Sequence, residues 1–205
     1  DYLNNYINSF SDNFELVPIK LFNGDTPDYY LSVNIYNCSS PLFMSDKLVS
    51  RCELNTYVKN KDGEIGTMIL DYSSNGISLD PVNLLKDTGD LEFNQDKDTI
   101  SILNNNDKDN FRLNLKFDIN GNLDKNLDKE LIEYTDNIFY KNGIKDKIYY
   151  DSSLVRSKII SVDKVYDKKF SYLDLKFDEI SSIFIFEDSI NFVGSIWDNI
   201  YQNKK

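Results

Sequence analysis

The chain contains no histidine. Without an imidazole there is no histidine acid–base pair, no Ser–His or Cys–His triad, no His-containing zinc site and no histidine pH switch. Alanine is absent as well. No physical requirement excludes alanine, and the abundance of Asn, Asp, Ile, Lys and Tyr fits the codon usage of an AT-rich genome. Asparagine runs such as Asn104-Asn105-Asn106 are then polar loop filler. Cysteine is scarce: Cys38 and Cys52 form no C-x-x-C pair, so Cys and His cannot build a four-ligand zinc site. Two reduced thiols in an intracellular protein are the expected state. There is no G-x-S-x-G, P-loop or G-x-G-x-x-G motif. No stretch approaches about 18 continuous apolar residues, and no basic region leads into an apolar run at the start, so neither a transmembrane helix nor a signal peptide is expected.

Positive charge is the remaining shortage. Lys and Arg number 23 against 34 Asp and Glu, a formal net charge of -11. That sign repels phosphate backbones, so a nucleic-acid partner is disfavoured. Acidic pairs are too frequent in such a chain to nominate a glycosidase.

What is present suffices for a core. Of 205 residues, 40% are hydrophobic and 14% aromatic, which fits one domain over residues 1–205. Tyr2, Leu3, Tyr6, Ile7 and Phe10 share a helical face within residues 1–12. Alternation predicts strands over 14–22, 29–38, 48–59, 67–74 and 111–117, with Phe111, Leu113, Leu115 and Phe117 facing a core. Shorter strands are expected near 91–93, 99–103, 147–150, 158–162, 170–177 and 183–186. Asn60-Lys61-Asp62-Gly63 is a hairpin turn. Helical spacing predicts a central helix over 128–140 and a closing helix over 188–201. The expected class is α+β: a mainly antiparallel curved sheet or β-barrel with roughly two or three peripheral helices.

One strand is unusually polar. Between residues 48 and 59, Leu48, Ser50, Cys52, Leu54, Thr56 and Val58 make a small, mostly apolar face. Val49, Arg51, Glu53, Asn55, Tyr57 and Lys59 make the other. That second face points either at water or into a barrel interior. In the second case Arg51, Glu53, Asn55, Tyr57 and Lys59 converge on one pocket, joined by Asn34 and Tyr36 and by either Asp71 or Tyr72. An enclosed Arg51 would anchor an anionic or carbonyl ligand, with Glu53, Asn55 and Tyr57 orienting it. A desolvated Lys59 would be a candidate Schiff-base nucleophile.

The stretch from Tyr30 to Tyr72 resembles the acetoacetate decarboxylase-like β-barrel superfamily. Its lysine strand reads E-[IL]-x-G-[FY]-P-K-K. Glu53, Leu54, Tyr57 and Lys59 match that pattern, while Thr56, Val58 and Asn60 depart from it. The resemblance implies a barrel acting on a keto acid through Lys59, with Glu53 beside it, and no cofactor.

Asp118, Asn120, Asn122 and Asp124 supply alternate oxygens, but Leu123 stands where a calcium loop needs glycine. That segment reads as a turn, and no metal site is expected. The competing function is a non-enzymatic structural or interaction protein, viral or from an intracellular parasite. The apolar residues of the closing helix would then form a partner or homo-oligomer surface.

Overall fold

The computed structural model describes residues 2–10, 12–38, 49–75, 78–80, 84–86, 91–96, 99–104, 111–118, 137–140, 145–150, 157–160, 165–172, 183–186 and 192–194. The first element is helix α1 (Tyr2–Phe10). Every element after it is a strand: β1 (Phe14–Leu16), β2 (Leu31–Cys38), β3 (Val49–Asn60), β4 (Ile65–Ser74), β5 (Ser78–Asp80), β6 (Leu84–Lys86), β7 (Leu91–Gln95), β8 (Thr99–Asn104), β9 (Phe111–Asp118), β10 (Asn137–Tyr140), β11 (Lys145–Tyr150), β12 (Ser157–Ile160), β13 (Val165–Tyr172), β14 (Ile183–Phe186) and β15 (Phe192–Gly194).

A seven-stranded sheet runs β1-β3-β4-β10-β11-β15, with β2 also paired to β3; a four-stranded sheet runs β13-β9-β8-β7. Strand pairs β12-β14 and β5-β6 stand apart from both sheets. The pairing is antiparallel except between β10 and β4. Among the described residues the larger sheet is an open path, and closure into a barrel is not part of what is seen.

The long strand β3 forms because its sequence alternates, and the hairpin after it sets the register. Gly63 takes φ +84°, which L side chains rarely adopt. The Asn60 amide holds the turn: its Oδ1 accepts the Asp62 and Glu64 N–H groups at 3.0 and 2.9 Å. Tyr57 thereby falls opposite Thr67 and Asn55 opposite Ile69. Between Leu54 and Asn55 the register slips, so that Leu70 has no partner across the ladder. This bulge bends β4 and shifts the phase of every residue beyond it.

The main core lies between the two sheets. Cys52, Leu54, Val58, Met68, Leu70 and Phe139 come from the larger one; Leu91, Ile102, Leu113, Phe117 and Tyr172 come from the smaller; Ile7 of α1 and Phe14 close one end. Tyr172 ties the sheets together. Its hydroxyl donates to the carbonyl of the bulged Leu70 at 3.3 Å and meets the Tyr6 hydroxyl at 2.9 Å. Tyr172→Phe removes both bonds from a buried site. It should lower stability by roughly 1–3 kcal/mol, read from the urea midpoint at unchanged m-value.

β1 and β2 lie end to end on the same side of β3. The Val17 N–H donates to the Tyr57 carbonyl at 3.1 Å, and Leu31 sits beside the adjoining Thr56. Residues 18–30 therefore leave the sheet and return to the same place, as a compact loop packed by its own side chains. Ile19, Leu21 and Phe22 of this excursion bury themselves on Tyr57.

Two of the expected helices are corrected where the structure describes them. Residues 137–140 form β10, paired with β4 and β11. Residues 192–194 form β15, paired with β11. The remainder of both expected helices, and residues 119–124 of the turn after β9, lie outside the described residues.

Candidate functional site

Both faces of β3 are buried from Ser50 to Val58. Cys52, Leu54 and Val58 turn to the core between the sheets. Arg51, Glu53, Asn55 and Tyr57 turn to the opposite, outer face of the larger sheet, where they are 4%, 6%, 1% and 7% exposed. Burial of a charged row on a strand is costly unless the charges are paired and hydrogen-bonded.

The structure supplies that pairing. Arg51 Nε donates to Glu53 Oε1 at 2.6 Å, and the Tyr36 hydroxyl donates to the same oxygen at 2.7 Å. Tyr36 stands directly across from Arg51 on β2. The guanidinium carbon lies 4.1 Å from the centre of the Tyr72 ring, a cation–π geometry. Tyr72 is opposite Glu53 on β4. Burial works against the Arg51 charge, but Glu53, with Tyr36 and Tyr140, more than offsets it and holds the guanidinium above its ordinary range.

The expected site residues thus divide into groups. Arg51, Glu53 and Tyr36 are brought together. Asn55 continues the row, and Tyr57 faces the same way beneath the excursion of residues 18–30. Asn34 is exposed, and its Oδ1 accepts the Ser32 hydroxyl at 2.8 Å. The expected convergence of Lys59 with the others is not found. Its side chain is 41% exposed and ion-paired with Glu15, its partner across β1. Lys59 stands at the end of β3, beyond the cover over Tyr57, and its amine keeps access to water.

Two residues enter that sequence reading did not place. Tyr72, rather than Asp71, joins Arg51, because the bulge at Leu70 resets which of the two faces outward. Thr67 lies opposite Tyr57 and is 5% exposed. Drawing the register out from the Asp62-Gly63 turn would have found it. Among the described residues the buried Asn55 Oδ1 and Thr67 Oγ1 atoms have no hydrogen-bond partner. Each such atom costs about 1–3 kcal/mol when isolated. Ser73 Oγ is a third, but Ser73 pairs with Cys52 on the core side.

Cys52 is a free, buried thiol. Burial, reinforced by the Glu53 charge, pushes its ionisation well above the ordinary range. The unfolded thiol begins to ionise near pH 8.5 while the folded one stays protonated. The folded state then binds more protons, so stability should fall as pH rises between about 8.5 and 10, with a slope of at most about 1.4 kcal/mol per unit. Urea unfolding across that range should show the slope flattened in Cys52→Val.

Among the described residues no group of three or more Cys, Asp or Glu could hold a metal ion. No described helix is long and apolar enough to cross a membrane. Searches of protein-family models, curated proteins and solved structures find no match to this chain.

Proposed function

We propose that this chain binds a small anionic or carbonyl-bearing molecule against the outer face of the larger sheet. Arg51 supplies the charge recognition, and Tyr36, Glu53 and Asn55 orient the ligand. One observation carries this reading: a cation, a carboxylate and an amide are all nearly sealed from solvent along one face of one strand. A strand facing water does not bury such groups, and a strand facing hydrocarbon excludes them. A bulge such as the one at Leu70 bends a strand, and curvature and closure into a barrel belong to the same proposal.

The ligand is held without a covalent bond. A Schiff-base mechanism through Lys59, with Glu53 as its catalytic neighbour, calls for an amine that is desolvated or flanked by a second cation. Lys59 instead has an exposed position and a carboxylate partner. The interaction-protein reading needs exposed apolar surface. Among the residues whose side chains are described, Tyr29, 58% exposed, is the one large hydrophobic at the surface.

Calorimetric titration with acetoacetate tests the proposal. Saturable binding is expected in the wild type and should be lost in Arg51→Met/Glu53→Met. Borohydride added to the same mixture should leave Lys59 unmodified. A reduced adduct at Lys59 would replace the non-covalent reading with the enzymatic one, and no binding of any small carboxylate would end both.

A further inference from the structure

The orphaned atoms on the outer face specify more than a charge. Asn55 and Thr67 sit diagonally across the β3–β4 ladder, since Asn55 pairs with Ile69 and Thr67 with Tyr57. Diagonal neighbours on one face lie within reach of a single small group placed between them. Both side chains are at least nine-tenths buried, and both end in an unpartnered oxygen. An amide carbonyl accepts only, while a threonine hydroxyl donates and accepts. The group that satisfies the two together is a hydroxyl, which gives a proton to one and takes a proton from the other.

We infer that Asn55 and Thr67 form a hydroxyl-binding subsite, and that the ligand is a hydroxylated carboxylate of sugar-acid length. The inference rests on the proposed binding at Arg51. Length follows from strand geometry: Arg51 and Asn55 stand four positions apart on β3, and Arg51 leans towards Glu53, two positions nearer. At about 3.3 Å per residue the guanidinium and the subsite, which lies between the Asn55 rung and the Tyr57–Thr67 rung, are separated by roughly 10–17 Å. Lactate or acetoacetate is too short to touch both, whereas an extended six-carbon acid spans the lower end of that range. Ile69 and Ile138, both buried, flank the subsite on β4 and β10.

The test compares gluconate with hexanoate, two six-carbon carboxylates that differ in their hydroxyls. Calorimetry gives the affinities, and amide chemical shifts at Asn55 and Thr67 locate the contact. Gluconate should bind at least about tenfold tighter, one hydrogen bond's worth. In Thr67→Val, which keeps the shape and loses the hydroxyl, the ratio of gluconate to hexanoate affinity should fall towards one. Equal affinities in the wild type, or a ratio indifferent to Thr67→Val, would overturn the subsite and leave binding at Arg51 standing. If neither acid binds, the site at Arg51 fails with it. Gluconate binding that shifts amides elsewhere and spares these two would also reject the subsite.

Discussion

Glu53→Gln should destabilise the fold by about 3–5 kcal/mol, the cost of leaving one member of a buried ion pair without the other. The substitution keeps the shape and one carbonyl oxygen. It removes the charge that offsets a guanidinium only 4% exposed. Tyr36 loses a charged acceptor in the same step. Arg51→Met should cost a comparable amount for the mirror-image reason. Arg51→Met/Glu53→Met together should cost far less than the sum and come out between neutral and a few kcal/mol more stable, because two desolvated charges are replaced by packing. Urea denaturation of the wild type, Arg51→Met, Glu53→Met and the double variant closes the cycle. The comparison also separates fold from function: a double variant that is stable yet no longer binds acetoacetate would mean that the wild type keeps the pair for recognition. Additive losses with no recovery would show that Arg51 and Glu53 are not energetically coupled, contrary to their 2.6 Å contact.

Gly66→Val should be as damaging, through the backbone. A Cβ at Gly66 would stand 2.5 Å from the Asn137 carbonyl oxygen, 2.7 Å from its Cβ and 2.8 Å from Phe139 Cε2. The first contact is main chain and cannot rotate away. β10 has to separate from β4, which breaks their parallel ladder and withdraws Phe139 from the core. The bond from the Asn137 side-chain amide to the Ile65 carbonyl, 3.0 Å, goes with it. A loss of at least about 3 kcal/mol is expected, at or beyond the upper end of ordinary overpacking. Amides 138–140 should lose their hydrogen-exchange protection first. Adding Phe139→Ala should not rescue the variant, since the carbonyl clash remains; rescue would show that the ring alone sets the limit.

How far the sequence could be read follows from the range of the interactions involved. β3 and its hairpin were legible because alternation and an Asp-Gly turn are local signals. Arg51 and Glu53 were placed together for the same reason: positions two apart on a strand share a face. The choice between Asp71 and Tyr72 was not legible, because it depends on a one-residue slip at Leu70 that no nearby residue announces. Residues 137–140 satisfy helical spacing through Tyr134 and Ile138, and a four-residue apolar strand cannot be told from a helix turn by periodicity. What decides it is pairing with residues 67–69, far away in the chain. Lys59 was drawn into the pocket by parity alone. Its exposure reflects where the excursion stops and where Glu15 lies, both matters of tertiary placement.

That excursion has an implication for how the chain tolerates change. Val17 and Leu31 stand at successive rungs beside β3, so joining them directly would make one uninterrupted border strand. Shortening, lengthening or replacing residues 18–30 is then a local operation that leaves the ladder's order intact, uncovers Tyr57 and takes from the Thr56 hydroxyl its bond to the Tyr30 carbonyl. The molecule carries a built-in insertion point for grafted peptides, next to the buried row from Arg51 to Tyr57 yet outside the strand pairing of the two sheets.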